Sequence, residues 1–322
     1  MDQKLLLDLF RIPSQSYKED KTRNFIMEFL KKEGIEFTVD EMGNVFNISH
    51  KDRPLLSAHM DTVQDDFDSL MSRFVTIKKG IVKGYGVIGG DDKCGIYTIL
   101  DLLANGYSNK INFVFSVQEE VGGMGIEHFV KTNDLSHILY GLILDRRGTG
   151  DIICSNNDYG TLEFEGVLET IGKHFGFSKN TGSFSDADYL SEQISCANLS
   201  VGYYNPHQKS EYVVIEDLKN TINFTHQIIK NVYTKFDAPA KVSKYNHGNY
   251  WFGTFDNDFP TDDEHSKAWA CDCCGERKHD LFYISTFEVS VCETCALELY
   301  YDVQKIEPYL FGYREKYLWE NF

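Results

Sequence analysis

The chain of 322 residues carries 32 basic and 49 acidic side chains, a formal net charge of −17. With 42% apolar and 14% aromatic residues it can bury a sizeable core, which excludes a disordered chain. Its acidity sets it against phosphate backbones and anionic bilayers, so neither a nucleic-acid nor a membrane partner is expected.

In chain order, amphipathic stretches predict helices over residues 2–11 and 21–33, the second stopped by Gly34. The opening MDQKLLLDLF is too short and too polar in its apolar part for a signal peptide. Short apolar runs follow at Val45–Ile48, Leu55–Ala58, Ile111–Val117, Ile138–Leu144 and Ala197–Val201. They are almost continuous in apolar character, as expected for strands of a parallel sheet covered on both faces. The longest, Ile138–Leu144, has seven residues against the roughly 20 needed to span a bilayer, and a cytoplasmic setting is expected. Helices are predicted between the runs over 92–105, 124–133 and 187–193, and over 215–235, where Glu216 and Asp217 open the last one. This alternation predicts an α/β fold over residues 1–236, a three-layer sandwich with a mostly parallel central sheet.

The composition then changes. Residues 1–235 hold 24 bases and 33 acids, and the last 87 residues hold 8 and 16, so the final quarter carries nearly half of the net charge. Residues 237–268 read as an acidic linker, with five acids and no base in Asp256–Glu264. Residues 269–300 read as a small C-terminal zinc ribbon and 301–322 as an aromatic tail. In the ribbon, Cys271 and Cys274, then Cys292 and Cys295, form CxxC, seventeen intervening residues, CxxC, the spacing of a tetrahedral four-cysteine structural zinc site. The LFYISTFEVSV segment between the pairs alternates as a β-hairpin or a single strand would. Two bases against six acids in 269–300 disfavour nucleic-acid contact for this module. It is expected either to stand as a stability module or to pack on the catalytic part or a second subunit, and a homo-oligomer is left open.

Four of the apolar runs end in residues that a metal would want. Leu55–Ala58 runs into His59-Met60-Asp61, Ile111–Val117 into Gln118-Glu119-Glu120, Ile138–Leu144 into Asp145, and Ala197–Val201 is followed within six residues by His207. A fifth element, Gly89-Gly90-Asp91-Asp92-Lys93, opens the helix at 92–105. Ligands of open α/β sheets bind beyond the carboxyl ends of the strands, so all five should converge on one edge. Two histidines and four or five carboxylates there suit two Zn²⁺ ions sharing a carboxylate, with Co²⁺ or Mn²⁺ as alternatives.

The ordered set His59-x-Asp61, Gly90-Asp91-Asp92-Lys93, Glu119-Glu120, Asp145 and His207, with SAHMDTV, VQEEVGGMG, Ser185-Asp186-Ala187 and NPHQKSEYVVIEDL, resembles the dizinc exopeptidases of the M20, M28 and M42 metallopeptidases. The resemblance spans about residues 1–235. It implies that Asp91 bridges two metals, that His59 and Asp145 complete one site, and that Glu120 and His207 complete the other. It also implies that Asp61 orients His59, that Glu119 is the general base, and that the Asp91–Asp92 peptide bond is cis. Only 61 residues separate Asp145 from His207, and His59 and Asp91 are 32 positions apart, so neither family insertion fits and a lidless, M28-sized core is expected. Arg146 and Arg147, next to Asp145, are candidates to clamp a substrate carboxylate, with a structural ion pair as the alternative. Asp186 is a candidate for holding the loop before His207 or a substrate amine. Lys93 is expected to shape its turn.

The function implied is zinc-dependent hydrolysis of a terminal amide bond, by an aminopeptidase or small-peptide exopeptidase, with a peptide or small amide as substrate. Two readings stay open beside it: an N-acyl amino acid or small-amide deacylase using the same site, and a non-catalytic scaffold that keeps the fold.

Overall fold

The computed structural model describes residues 1–240 and, beyond them, the backbone of the short strands Trp269–Ala270, Arg277–Lys278, Phe282–Ile284 and Val289–Val291. The chain divides into two compact units, Met1–Asp256 and Asn257–Phe322. In the second unit, Trp269–Ala270 pairs antiparallel with Arg277–Lys278, and Phe282–Ile284 pairs antiparallel with Val289–Val291, the hairpin of the two forms that the alternation predicts. Cys271, Cys274, Cys292 and Cys295, most of the linker and the aromatic tail lie outside the described residues.

The first unit runs α1 (Gln3–Phe10), α2 (Asp20–Lys32), β1 (Thr38–Val39), β2 (Val45–Asn47), β3 (Arg53–His59), α3 (Asp66–Met71), β4 (Thr76–Lys78), β5 (Ile81–Lys83) and α4 (Gly90–Leu102). It continues with β6 (Asn112–Ser116), α5 (Met124–Thr132), β7 (Ile138–Arg146), β8 (Asp151–Ile153), α6 (Leu162–Gly172), β9 (Ser178–Asn180) and α7 (Ala187–Leu190). β10 (Cys196–Ser200), β11 (Tyr203–Tyr204), β12 (Tyr212–Val214) and α8 (Ile215–Asn231) complete it. The main sheet has eight strands in the order β1-β2-β6-β3-β7-β10-β8-β9. Its centre, β6-β3-β7-β10, is wholly parallel, while β2 joins β6 and β8 joins β10 antiparallel.

The period-two rule sorts the sheet residues into two cores. Leu56, Phe113, Phe115, Leu142 and Leu144 face one layer with Leu6, Leu9, Leu100 and Phe224 from α1, α4 and α8. Their neighbours Leu55, Val114 and Ile143 face the other, with Ile126 and Phe129 of α5 and Leu190 of α7. Apolar cover on both faces explains why these strands read as unbroken apolar runs. Several elements escape the sequence reading. β4, β5, β11 and β12 form a second, four-stranded antiparallel sheet, and strands of two or three residues carry no period to detect. Helix α6 did carry a signal, the Thr161 N-cap whose hydroxyl accepts from the Phe164 N–H. Among the described residues, no helix is long and apolar enough to cross a membrane.

Helix α3 opens on a capping box in which Asp65 accepts from the Asp68 N–H and Asp68 from the Asp65 N–H. Asp68 also accepts from the Val87 N–H at 3.0 Å. Burial pushes its carboxyl up to about 6, and the Asp65 charge adds to the effect. The folded value lies above the ordinary 3.8, so this group's stabilisation is full below pH about 4 and is lost as pH rises through 6. Between pH 4.5 and 7.5, the stability difference between Asp68→Asn and wild type should therefore move toward the variant by about 1 kcal/mol. Urea titrations of both proteins at the two pH values check it, and parallel pH dependences would remove Asp68 as the cause.

Candidate metal centre

The parallel centre of the sheet sends four loops to one edge. β3 ends at His59 and continues into Asp61, β7 carries Asp145 in its penultimate position, and β6 ends at Ser116, just before Gln118-Glu119-Glu120. Beyond β10, the chain crosses β11 and reaches His207. Gln118 and His207 both take positive φ, 58° and 62°, so each loop turns sharply where it meets the edge. Asp91 enters from the start of α4, where the Asp91–Asp92 peptide bond is cis. α4 can lie this close to β7 because of Gly95: a Cβ there would stand 2.1 Å from the Leu144 carbonyl oxygen.

The side chains converge as two triads. His59 Nε2 lies 3.0 Å from Asp91 Oδ1 and 3.6 Å from Asp145 Oδ1. His207 Nε2 lies 3.2 Å from Asp91 Oδ2 and 3.0 Å from Glu120 Oε1. Thus each oxygen of Asp91 serves a different triad, and the groups His59, Asp91, Asp145 and Asp91, Glu120, His207 could each hold a metal ion. Ligands 2.0–2.1 Å from a tetrahedral ion stand about 3.3 Å apart, close to the spacing of these atoms. Donor chemistry points the same way. His59 Nδ1 lies 2.9 Å from the Asp61 carbonyl oxygen, which fixes its proton there and turns the Nε2 lone pair toward carboxylates. Imidazole nitrogens and carboxylate oxygens gathered at this spacing are the donor set of a divalent cation, so the residues present fit a pair of metal ions.

The charged groups of the site act strongly on one another. Burial would depress the His59 imidazole, but Asp145, Asp61 and Asp91 together hold it well above its usual range. The hydrogen bonds of His207 to Asp91 and Glu120 raise it to about 10. Burial and then the Asp91 charge push Asp145 well up. Burial also drives Glu119 up, reinforced by Asp145, Asp186 and Glu120 against the pull of His59. Asp91, despite burial, is held below the carboxylate range by its two histidines.

Glu119 stands beside both triads without belonging to either, its Oε2 3.9 Å from His59 Nε2. Asp61 meets His59 Nδ1 with both its main-chain carbonyl and its carboxylate. Its main-chain carbonyl is the nearer acceptor for His59, while its carboxylate, 3.4 Å away, accepts from the Glu119 N–H at 2.9 Å, the Glu120 N–H at 3.2 Å and Ser16 Oγ at 2.8 Å. The carboxylate therefore ties the loop that carries Glu119 and Glu120 to the end of β3. Asp186 is 1% exposed, accepts from Ser57 and Ser116 at 2.8 and 2.7 Å, and braces β3 against β6 behind the centre. Arg146 donates to Asp151 Oδ2 at 3.0 Å, whereas the Arg147 side chain is exposed at the cavity wall. Lys93 Nζ is buried on the carbonyls of Phe10, Ile12 and Ile88, as a turn-shaping residue would be.

Two partners were not legible in the sequence. The Tyr203 hydroxyl donates to the Asp145 carbonyl at 2.8 Å and lies 3.4 Å from its Oδ1. The Glu211 carboxylate accepts from the N–H groups of Ile88, Gly89 and Asp91 at 2.9, 2.8 and 3.2 Å and so holds the loop that presents Asp91. Burial, with the Asp91 charge, pushes Glu211 up to about 8. Glu211→Ala leaves three N–H groups, two buried and one partly buried, without this acceptor, an expected loss of about 3 kcal/mol in stability. Metal affinity should fall about tenfold, as when the groups that orient a ligand are removed. Thermal unfolding and metal titration check both, and a variant unchanged in the two would leave Glu211 without this role.

Comparison with known proteins places the fold. Solved structures that superpose include the TET1 peptidase of Pyrococcus horikoshii, described as assembling into a tetrahedron or a large octahedral shell (TM-score 0.57, 16% identity, 71% of this chain and 99% of that one). Others are the aminopeptidase PepT of Bacillus cereus (0.56, 16%, 71% and 98%) and a tripeptidase of Staphylococcus aureus (0.56, 16%, 72% and 97%). At such identities they establish a shared fold. No curated protein sequence matches the chain. The model of peptidase family M20/M25/M40 matches residues 55–231, a span that takes in both triads. With more than half of its length so matched, the chain belongs to the M20/M25/M40 peptidase family.

Proposed function

We propose that the chain is a metal-dependent exopeptidase that hydrolyses the terminal amide bond of short peptides. One observation carries this reading: two ligand triads share Asp91 while Glu119, a carboxylate outside both, stands over them. His59, Asp91 and Asp145 would hold one Zn²⁺, and Asp91, Glu120 and His207 a second, with Co²⁺ or Mn²⁺ as substitutes. Two such ions, when bound, would supply a Lewis acid for the scissile carbonyl and acidify a water. Glu119 is the carboxylate placed to take a proton from the attacking water and to return one to the leaving amine. Asp61 holds Glu119 in place through the Glu119 N–H. The cavity over the triads measures about 690 Å³, the size range of small-ligand sites.

The test is a panel of aminoacyl peptides and N-acyl amino acids, assayed with metal, with chelator and after metal restoration. Cleavage of peptides that is lost with chelator and regained with Zn²⁺ is expected. Turnover of the N-acyl compounds alone would move the reading to a deacylase, and none with metals bound would move it to a scaffold. Our reading of residues 269–300 remains a ribbon in which Cys271, Cys274, Cys292 and Cys295 bind one structural Zn²⁺. Three zinc ions per chain would support both sites, and two would remove the ribbon. The homo-oligomer stays in this reading because the Pyrococcus peptidase forms shells, and sedimentation of the full chain decides it. The expected setting is cytoplasmic.

A further inference from the structure

We propose that Arg147 sets the specificity of the cavity, its guanidinium receiving the free C-terminal carboxylate of a di- or tripeptide. This rests on the peptidase reading above and adds the substrate class. The charged wall of the cavity is made of Asp91, Glu119, Glu120 and Asp145, with His207, Arg146 and Arg147 as its cationic or protonatable groups. Two of those three are committed. His207 belongs to a ligand triad, and Arg146 is engaged by Asp151 Oδ2 at 3.0 Å and the Thr181 carbonyl at 3.4 Å. Among the described residues, no carboxylate lies within ion-pair distance of Arg147, in a chain with 49 acids and 32 bases. A guanidinium that lines a cavity with no internal partner is free to pair with a ligand, and its planar fork matches a carboxylate in two parallel hydrogen bonds.

The backbone beneath it is anchored. Ser200 Oγ donates to the Arg147 carbonyl at 3.0 Å, and the Gly148 N–H donates to the Tyr203 carbonyl at 2.6 Å. The long side chain therefore departs from a fixed point, two residues after the ligand Asp145, about 7 Å along an extended chain. A peptide held at the triads for cleavage carries its C-terminal carboxylate about 4 Å further on if one residue follows the scissile bond, and about 7 Å if two do. Both lie within reach of Arg147. A longer peptide would carry the carboxylate past it, and a C-terminal amide would offer no anion. Ile153, Phe184 and Pro206 also line the cavity and give it apolar surface for the peptide's side chains.

The experiment compares a tripeptide with its C-terminal amide on the full, zinc-loaded chain, in wild type, Arg147→Gln and Arg147→Lys. Wild type should prefer the free acid at least tenfold in kcat/KM, chiefly through KM. In Arg147→Gln the acid-to-amide ratio should fall to about one, and Arg147→Lys should keep part of it. No preference in wild type, or an unchanged ratio in Arg147→Gln, overturns the proposal. So does a loss of kcat on both peptides at an unaltered ratio. If neither peptide is cleaved with metals bound, the peptidase reading fails, and calorimetric titration of the same pair still decides the carboxylate site. Tighter binding of the acid that Arg147→Gln abolishes supports it, and equal binding overturns it.

Discussion

Glu119→Gln is expected to lower kcat by about 10²–10⁴-fold while the protein keeps its fold and both metal ions. The amide has the shape of the carboxylate but cannot take a proton, so only the proton-transfer step is removed. Glu119 is outside both ligand triads, which is why metal content should survive. Its N–H bond to Asp61, 2.9 Å, belongs to the main chain and is untouched by the change. KM should move little, since the interaction lost is one made in the transition state. Steady-state rates with metal content measured on the same sample check this. A variant with more than a tenth of wild-type activity would remove Glu119 as the base, and one that also loses a metal would make it a ligand.

The second large effect is on metal binding. Asp91 supplies one oxygen toward His59 and the other toward His207. Asp91→Asn therefore takes a charged ligand from both triads, and both ions should be lost on dialysis, with affinities down about 100-fold or more. Asp145→Asn and Glu120→Gln each touch a single triad and should each cost one ion. Metal analysis of the three variants separates a shared carboxylate from two independent sites. Two ions retained in Asp91→Asn would end the bridging assignment.

These expectations rest on residues that were visible before the fold was known. His59, Glu119, Glu120 and Asp145 could be found because each follows an apolar run, and such runs exist where a strand is covered on both faces. Their convergence follows from the parallel order β6-β3-β7-β10, which puts the carboxyl ends of neighbouring strands side by side. Asp186 is the opposite case. Its motif was legible, but whether it faced a substrate or the interior depended on Ser57 and Ser116, 129 and 70 positions away, which enclose it. The Arg146–Arg147 pair is undivided in sequence, and only Asp151 on β8, the next strand along the chain, separates a structural arginine from one without an ion-pair partner among the described residues.

By itself, the sequence determined the layered α/β class, the residue types gathered at the candidate metal centre and the order in which they occur, because burial and metal coordination both constrain residue type locally. Tertiary structure alone decided the second sheet, the grip of Glu211 on the Asp91 loop, the use of the Asp61 main chain for His59 and the separation of the two arginines. Each of these is a polar or short-strand contact between distant segments. A hydrogen bond or ion pair needs only one suitable atom at about 3 Å, and it leaves no period or composition in the chain that forms it.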